Sequence, residues 1–361
     1  MRTTLSAVLL RVACGAVVIA PALGAQQVAT RLAVANVPPA PPIRWDSAAP
    51  MPGARDHHVT FVTSGTRGAW LHVIGGHASG SILASTYQAR VGKDGSIGAW
   101  ERGDSLPSAH AGMAMASDPR FVLLAGGRGA SGKVTPDVYL AQVWGDGRLG
   151  AWKAPTYSLP APRFHAAAVI NDGYAFVIGG METNTATTSI YRAKIGRGGE
   201  LSSWTELAPL PSPRSHHAAF VRDGNLYLVA GNAGNPAGDA QPLADVIRAP
   251  LGKDGSIGQW TTVSTLDSTF ATHAAVVHDD HLYVIGGVEN NRRFSDRVIR
   301  APFQADGSIG AWETVDAPLP APRAHVHQIP VLGDHMYSVG GSVSGKPLPD
   351  VVIGAFAKSS R

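Results

Sequence analysis

The sequence predicts an all-β fold, a six-bladed β-propeller, and three observations lead to this prediction. Six tryptophans recur at intervals of 52 to 56 residues, a glycine pair closes an apolar run between successive tryptophans, and Asp-Gly turns separate short apolar segments. Glycine accounts for 42 of the 361 residues, and only 16% of the residues are charged. A turn-rich, charge-poor chain that is 44% hydrophobic can bury a large core as short strands. This composition excludes a disordered chain, a collagen and a long coiled coil.

Two landmarks appear in every repeat. The tryptophans that set the period are Trp45, Trp100, Trp152, Trp204, Trp260 and Trp312. The glycine pairs, one of which has lost its first glycine, are Gly75-Gly76, Gly126-Gly127, Gly179-Gly180, Ala230-Gly231, Gly286-Gly287 and Gly340-Gly341. Leu-Pro-x-Pro-Arg-x-His and Asp-Gly-Ser-Ile-Gly-x-Trp segments recur in register with them, whole or altered. Shared register establishes a repeat, and the tryptophans are expected to pack between blades, with Trp70 and Trp144 as extras.

Each repeat is predicted to form four strands, and the fifth repeat illustrates the pattern. Strand a covers residues 273–278 and strand b residues 281–285, with an Asp-Asp turn between them. Strand c covers residues 297–303 and strand d residues 311–315, with an Asp-Gly turn between them. Asp-Gly between apolar segments favours a hairpin because the turn needs positive φ. Radial repetition of four-stranded sheets around a channel is a β-propeller, which also protects strand edges.

The two ends of the chain are predicted to complete one blade. Residues 351–356 form a strand c with no strand d behind it, whereas residues 43–45 form a strand d with no other strand before it. Pairing of the two would close the ring. We therefore predict a single domain over residues 42–361. Its repeat units are about 45–100, 100–152, 152–204, 204–260, 260–312, and 312–361 together with 42–48.

Residues 1–25 are predicted to be a signal peptide. Arg2 precedes an apolar stretch over residues 5–20, and the small residues that follow suit signal peptidase. Removal of this segment takes away Cys14, the one cysteine, so the mature chain is expected to lack disulfides and thiolate ligands. A Pro/Ala-rich leader over residues 26–41 follows. We expect export to the periplasm or the extracellular space, with no membrane span after signal removal.

The charge of the chain does not point to a nucleic acid partner. Lysines and arginines exceed acidic residues by +4, and Arg2 and Arg11 lie in the predicted signal. The other arginines are mostly scattered, whereas nucleic-acid-binding proteins cluster their positive charge. The sequence also lacks a Gly-x-Ser-x-Gly elbow and a His-Glu-x-x-His zinc motif. We predict no nucleic acid partner and no cofactor.

The repeat resembles that of a known family. It combines paired glycines after strand b, a later tryptophan and, in three units, a tyrosine on strand c, namely Tyr87, Tyr139 and Tyr191. Over residues 43–356 the chain is similar to kelch-repeat β-propellers, although its c–d hairpin is longer. Kelch propellers serve many unrelated tasks, so the resemblance implies a fold more than a function. Sialic acid mutarotases of the periplasm are exported kelch propellers of similar build, and this similarity implies mutarotation by loop acids and arginines.

The most distinctive polar feature is one histidine per repeat at the start of strand a. These histidines are His57, His110, His165, His216, His273 and His325. In four repeats an arginine stands two residues earlier, namely Arg55, Arg163, Arg214 and Arg323. Because strand a is innermost, all ten side chains are expected near one mouth of the channel. Each arginine should lie on the same side of its segment as its histidine.

Three roles fit this His/Arg mouth. The side chains could belong to the repeat consensus and bond loop carbonyls of the neighbouring blade. They could instead bind an anionic ligand such as a uronic or sialic acid, since arginine pairs with carboxylates and histidine changes charge near neutral pH. A metal ring is the third option, but opposite histidines are expected to lie far apart and no acid recurs beside them. As site candidates the ten residues are predicted to bind ligand, with no bound metal.

The loops between strands b and c share this mouth. They contribute Glu182 and Glu289, the acids closest behind the glycine pairs and therefore the default general acid–base candidates. The predicted function is a ligand-binding or interaction module for a glycan or a protein, including an anionic one. The alternatives are a mutarotase or epimerase acting on an acidic sugar, or a structural module of a surface assembly. Exposed aromatic residues on one rim would favour a glycan, and a contiguous apolar patch would favour a protein.

Overall fold

The computed structural model of the chain describes residues 43–357, which form ten antiparallel sheets and contain no helix. Residues 43–357 therefore contain no helix that could cross a membrane. The predicted signal peptide (1–25), the leader (26–41) and Cys14 lie outside the described residues. Six of the sheets are the predicted blades. The first strands of blades 2, 3, 4 and 5 contact one another in turn, so we letter the strands a to d from the inside outwards.

The first three blades follow one another along the chain. Blade 1 consists of Val59–Gly65, Gly68–Ile74, Thr86–Val91 and Ile97–Arg102. Blade 2 consists of Ala114–Ser117, Phe121–Ala125 and Val138–Gln142. Its outer segment joins strand c only through isolated bridges at Leu140–Lys153 and Val143–Leu149. Blade 3 consists of Ala167–Asn171, Tyr174–Ile178, Ile190–Lys194 and Thr205–Glu206.

The other three blades include the one that unites the two ends of the described chain. Blade 4 consists of Ala218–Arg222, Asn225–Asn232, Pro242–Pro250 and Thr261–Thr265. Blade 5 consists of Ala274–His278, His281–Ile285, Val298–Pro302 and Glu313–Thr314. Blade 6 consists of Val331–Leu332, His335–Val339, Val351–Phe356 and, as strand d, Ile43–Ala48.

Four small sheets of two-residue strands lie at the end of the blades that carries the b–c loops. The two-residue strands are His77–Ala78 with Ser81–Ile82, His110–Ala111 with Arg128–Gly129, Phe270–Ala271 with Val288–Glu289 and Arg293–Phe294, and Ser342–Val343 with Lys346–Pro347. Two of these pairs, in blades 2 and 5, connect the approach to strand a with the b–c loop. They therefore hold the loops over the start of the inner strands, where the predicted mouth lies.

The hydrophobic core lies between the blades rather than within one of them. Six clusters of buried side chains fill the six gaps between neighbouring blades. The gap between blades 6 and 1 is filled like the others, with Leu71 and Val73 against Tyr337 and Val339. Each strand presents alternate side chains to the two faces of its sheet, so every blade packs on both neighbours. The ring is therefore continuous.

The predicted pairing of the chain ends is confirmed. Strand Ile43–Ala48 runs antiparallel to Val351–Phe356, with Ile43 opposite Phe356 and Ala48 opposite Val351. The Tyr337 hydroxyl of blade 6 also donates a hydrogen bond to the Gly95 carbonyl of blade 1, at 3.0 Å. These bonds supplement the hydrophobic contact between the first and last blades.

The long c–d hairpins and the periodic tryptophans brace neighbouring blades. Asp94 stabilises its turn by accepting hydrogen bonds from the amide and hydroxyl of Ser96, and the same turn recurs in blades 4 and 5. On the outer strands, the indole of Trp100 donates to the Ala49 carbonyl of blade 6. Three further tryptophan indoles reach the preceding blade in the same way, those of Trp45, Trp204 and Trp312. Interblade packing of these four tryptophans is as predicted.

Replacement of Gly354 by alanine should weaken ring closure. A Cβ at this position would lie 2.6 Å from the Trp45 ring and 2.8 Å from Met336, so the two strands of blade 6 would have to shift. We expect Gly354→Ala to lower the free energy of unfolding by about 1–3 kcal/mol, measured by denaturant titration. Gly98→Ala is the matched control because its Cβ meets no atom closer than 3.6 Å. Equal stability of the two variants would contradict this account of closure.

Candidate functional site

Six residues with left-handed backbone surround the channel where the inner strands begin. One comes from each blade, and their φ angles lie between 51° and 67°: His57, Gly112, His165, His216, Thr272 and His325. The amides of Gly112, His165, His216 and Thr272 each donate to the carbonyl of the preceding member, at 2.7 to 3.1 Å. We call these six residues the axial ring. Positive φ is unfavourable for a side-chain-bearing residue, and these hydrogen bonds between blades hold the backbone in that conformation.

Four imidazoles of the axial ring meet on the channel axis. The ring centroids of His57 and His325 are 3.8 Å apart, as are those of His165 and His216, and His57 lies 5.1 Å from His165. His327, from the start of blade 6, joins them at 5.1 Å from His165. We call these five residues the histidine cluster. The prediction that histidines converge at one end of the channel is confirmed for four of the six candidates.

His110 does not belong to the axial ring, so the prediction is wrong for blade 2. It stands two residues before Gly112, at the position that four other blades give to arginine. Its carbonyl accepts from the Gly76 amide at 2.8 Å, just as the Arg163 carbonyl accepts from Gly127 at 2.6 Å. Its side chain is buried, with Nε2 3.0 Å from a carboxylate oxygen of Asp137. His110 therefore replaces an arginine.

His273 is also displaced by one residue from its predicted place. In blade 5 the left-handed residue is Thr272, and His273 follows it, as His58 and His217 follow their ring members. His273 is fully buried, and neither of its ring nitrogens has a hydrogen-bond partner in the chain. The six predicted histidines thus occupy three different positions in these repeats: two residues before the ring member, at the ring member, and one residue after it. Spacing from the recurring landmarks did not distinguish these positions, because the distinguishing property is a backbone angle.

The four arginines are structural, which corrects the prediction that they bind ligand at the mouth. Their exposed fractions are 2% or less. Each guanidinium reaches a residue within strand c of its own blade or directly before it: Ser85 for Arg55, Ser189 for Arg163, Asp245 for Arg214 and Asp350 for Arg323. The His110–Asp137 contact has the same geometry. These side chains tie the innermost strand to strand c, and they are not available to a ligand.

The two acid–base candidates are engaged in ion pairs. Glu182 is exposed and accepts a hydrogen bond from the Arg163 guanidinium at 2.9 Å. Glu289 is buried, with a carboxylate oxygen 2.6 Å from Nη1 of Arg297 and another 3.1 Å from Arg293. Neither glutamate contacts the histidine cluster. The acid–base candidates and the histidines predicted to bind ligand therefore do not form one site.

His165, His216, His325 and His327 of the histidine cluster are held in the neutral form near physiological pH. Burial lowers the pKa of His327 to about 3. Burial first, and neighbouring imidazoles second, also hold the pKa well below its usual range for His165, His216 and His325. A group of uncharged rings does not provide the cationic mouth that an anionic ligand would require.

A cavity of about 260 Å³ continues the channel from the histidine cluster along the inner strands. Its wall includes small residues of the inner strands, namely Ala166, Ala167, Ala168, Ala218, Ala219 and Ala275, with His165, His217 and His327 at one end. Thr60, Ser117 and Gln328 are further polar residues of this wall. Within residues 43–357, a single group offers three ligand atoms close enough for one metal ion, and it consists of Asp56, His57 and His325.

A second surface, on the outside of blade 2, carries the two exposed large hydrophobic side chains of the described residues. Trp144 is 54% exposed and Tyr157 is 46% exposed. Trp144 occupies the first position of the c–d turn, closed by its amide to the Arg148 carbonyl at 2.8 Å. In the same turn the other blades place Gly92, Gly196, Gly252 and Gln304. The turn therefore does not require an aromatic residue.

Trp144 lies between two cavities. One, of about 530 Å³, is bordered by Gln142, Lys153, Thr156 and Glu200. The other, of about 260 Å³, is bordered on the blade 1 side by Gln88, Arg102 and Asp104. Analysis of the sequence missed this surface, because Trp144 was expected to pack between blades. Its position outside the tryptophan period was the signal that could have identified it.

The fold and the repeat define a β-propeller whose blades end strand b in paired glycines. A family model described as the KLHDC2/KLHL20/DRC7 Kelch-repeats domain matches residues 57–287. The chain belongs to the kelch-repeat family, as the resemblance predicted.

Comparison with individual proteins agrees with this assignment. The chain is similar to beta-scruin of Limulus polyphemus, with 26% identity over 200 residues that cover 53% of this chain and 21% of that protein. It is similar to Kelch-like protein terF of Aspergillus terreus, with 28% identity over 192 residues that cover 50% and 39% of the two chains. It thus spans less than half the length of these relatives. The solved structure of YjhT matches with a TM-score of 0.66 over 87% of this chain and 98% of that one, at 14% identity, which shows the fold alone.

Removal of a buried arginine should destabilise the propeller. Arg214→Met leaves Asp245 without its partner and the Ala230 carbonyl without its donor. We expect a loss of about 2–4 kcal/mol in the free energy of unfolding, measured by denaturant titration. Arg292→Met is the control, since Arg292 is exposed on a b–c loop and its loss should change stability by less than about 0.5 kcal/mol. An unaltered stability of Arg214→Met would revive a ligand-binding role for Arg214.

Replacement of His273 should reduce the sensitivity of the fold to acid. Burial lowers the pKa of His273 to about 3, so the unfolded chain binds an extra proton there once pH falls below about 6.5. Its contribution to stability is therefore present above pH 6.5 and lost as pH falls. Between pH 7.5 and 5.5 the free energy of unfolding of His273→Leu should fall by about 1.4 kcal/mol less than that of the wild type. Equal losses in the two proteins, measured by denaturant titration at both pH values, would contradict a neutral buried His273.

Proposed function

We propose that this chain is a binding module for a carbohydrate, which it contacts at the side of blade 2. The observation that carries the proposal is the exposed indole of Trp144 at a turn where three other blades have glycine. Tryptophan is enriched at interfaces because its ring is apolar and its N–H is polar, and here it borders a cavity. Membership of the kelch-repeat family supports an interaction role in general.

The chemistry beside Trp144 suits a sugar. A pyranose ring has an apolar C–H face that can stack on an aromatic ring, and a rim of hydroxyl groups that need donors and acceptors. The larger cavity offers both kinds at its border, with the amide of Gln142, the ammonium of Lys153 and the carboxylate of Glu200. Its volume of about 530 Å³ lies within the range of small-molecule sites, about 300–1,000 Å³. The mixed signs of charge favour a neutral or weakly charged glycan.

This proposal moves the predicted binding surface from the channel mouth to the side of the ring. The ten residues predicted at the mouth include four buried arginines and two displaced histidines, and the remaining histidines pack on one another. The acids expected to support mutarotation, Glu182 and Glu289, are held by arginines. A binding role is therefore better supported than acid–base catalysis at the mouth. Export of the chain, to the periplasm or beyond, is part of the same proposal.

The test is a glycan array with the purified protein, followed by calorimetry with the strongest ligand. Trp144→Gly installs the residue that blades 1, 3 and 4 carry in this turn, so the turn should keep its conformation. We expect Trp144→Gly to weaken binding at least about 10-fold, the equivalent of about 1.4 kcal/mol, with the thermal midpoint unchanged.

Gln304→Gly is the matched control, since it makes the same change to the equivalent turn of blade 5. It should bind the glycan as the wild type does. A wild-type protein that binds no glycan on the array, or a Trp144→Gly variant that binds normally, would overturn the proposal.

A further inference from the structure

A group of metal-ligating side chains lies at one side of the histidine cluster, between blades 1 and 6. One ligand atom from each of Asp56, His57 and His325 falls within 4.8 Å of the others. Asp56 is buried, and one of its carboxylate oxygens is 2.8 Å from Nδ1 of His57 and 3.4 Å from Nδ1 of His77. The Ser342 hydroxyl, 2.9 Å from Nδ1 of His325, orients the third member.

The backbone of Asp56 makes the hydrogen bonds that recur at this position of the repeat, whereas its carboxylate has no counterpart in the other blades. Asp56 exchanges backbone hydrogen bonds with His77, at 3.0 and 2.8 Å, and Ser215 exchanges the same pair with Asn232, at 2.9 and 2.8 Å. The residues at this position in the other blades are Ala111, Phe164, Ser215, Ala271 and Ala324. An acid occurs here once among the six blades. Because the fold is built five times without a carboxylate at this position, the carboxylate of Asp56 is not explained by the fold.

Two buried imidazole nitrogens near this group have no hydrogen-bond partner in the chain. They are Nδ1 of His165 and Nε2 of His327. His165 is 5% exposed, and its ring centroid lies 5.1 Å from that of His57. Buried polar atoms without partners are uncommon in native proteins and call for an explanation such as an ion. Both unpartnered nitrogens are Lewis bases next to the Asp56 group.

We propose that Asp56, His57 and His325 bind one divalent transition-metal ion, with His77 at the rim as a further donor. Two imidazoles and one carboxylate suit Zn²⁺, Ni²⁺, Cu²⁺ or Fe²⁺. They suit Mg²⁺ and Ca²⁺ poorly, since these prefer oxygen ligands. The site differs from a symmetric ring of six histidines, because it uses Asp56, the one acid at this position among the six blades. It is independent of the carbohydrate surface on blade 2.

The location of this site gives the ion a mechanical role. Asp56 and His57 precede the inner strand of blade 1, and His325 precedes that of blade 6. An ion bound to all three would therefore cross-link the first and last blades at the axis, on the gap that closes the ring. A ligand that binds only the folded state stabilises it in proportion to its occupancy, so metal binding should raise the thermal midpoint.

The experiment uses the untagged chain, stripped of metal with a chelator and titrated with Zn²⁺ by calorimetry and by thermal unfolding. We expect one Zn²⁺ per chain and a rise in the unfolding midpoint, with Ni²⁺ and Cu²⁺ acting alike and Mg²⁺ without effect. Asp56→Ser supplies the residue that blade 4 has at this position and should fold normally. It should lower the affinity for Zn²⁺ by about 10- to 100-fold or more.

His216→Asn is the matched control, because His216 occupies the same axial position in blade 4 without an acid before it, and asparagine tolerates positive φ. This variant should bind Zn²⁺ with wild-type affinity. The proposal is overturned if the wild type binds no Zn²⁺, if Asp56→Ser binds it equally well, or if His216→Asn loses it to the same extent as Asp56→Ser.

Discussion

Blades 1, 2, 3, 4 and 6 are each joined to the preceding blade around the ring through the residue that stands two positions before their member of the axial ring. In blade 3 this residue is Arg163, whose amide donates to the Thr135 carbonyl of blade 2 and whose carbonyl accepts from Gly127 of blade 2. Its guanidinium turns the other way and bonds Ser189 and Tyr191 of its own blade. The backbone of this one buried residue thus joins two neighbouring blades, and its side chain bonds strand c and the residue before it in its own blade. The paired glycines are needed here because a Cβ on Gly126 would lie 2.2 Å from the Arg163 carbonyl oxygen.

The sequence was sufficient to predict the fold because each landmark has a local physical cause. Asp-Gly turns need positive φ, paired glycines need close approach of backbone, and the periodic tryptophans reach a carbonyl or hydroxyl of the preceding blade. The completion of blade 6 by residues 43–48 followed from simple counting of strands. The site was harder to predict because its residues are distinguished by backbone conformation and burial. His110 and His273 have the expected spacing, yet neither has the left-handed backbone that points a side chain to the axis. Arginine commonly binds anions. The four arginines of this chain, Arg55, Arg163, Arg214 and Arg323, are instead buried and bond to groups of the protein itself.

Departures from the repeat were more informative about function than the repeat. Residues that recur in four or more blades are explained by the ring, and this holds for the buried arginines as well as for the glycines. Trp144 and Asp56 each occupy a position where the other blades have residues of different character, and the backbone there behaves as it does elsewhere. Such positions can change without loss of the fold, so their side chains are free to serve a ligand. A comparison of blades within one chain thereby separates structural residues from candidate functional ones.

The partnership of residues 43–48 with residues 351–356 also constrains how the chain folds. The outer strand of blade 6 precedes blades 1 to 5 in the chain, whereas the strand that it pairs with follows them. Blades 1 to 5 consist of consecutive segments and can form hairpin by hairpin, but the final gap can be filled only by contacts of very long sequence separation. Contacts of this kind slow folding and leave apolar surface uncovered in the meantime. An incomplete ring would expose the inner faces of blades 1 and 6 together, and that pair of faces is where a nascent chain of this protein is most vulnerable to aggregation.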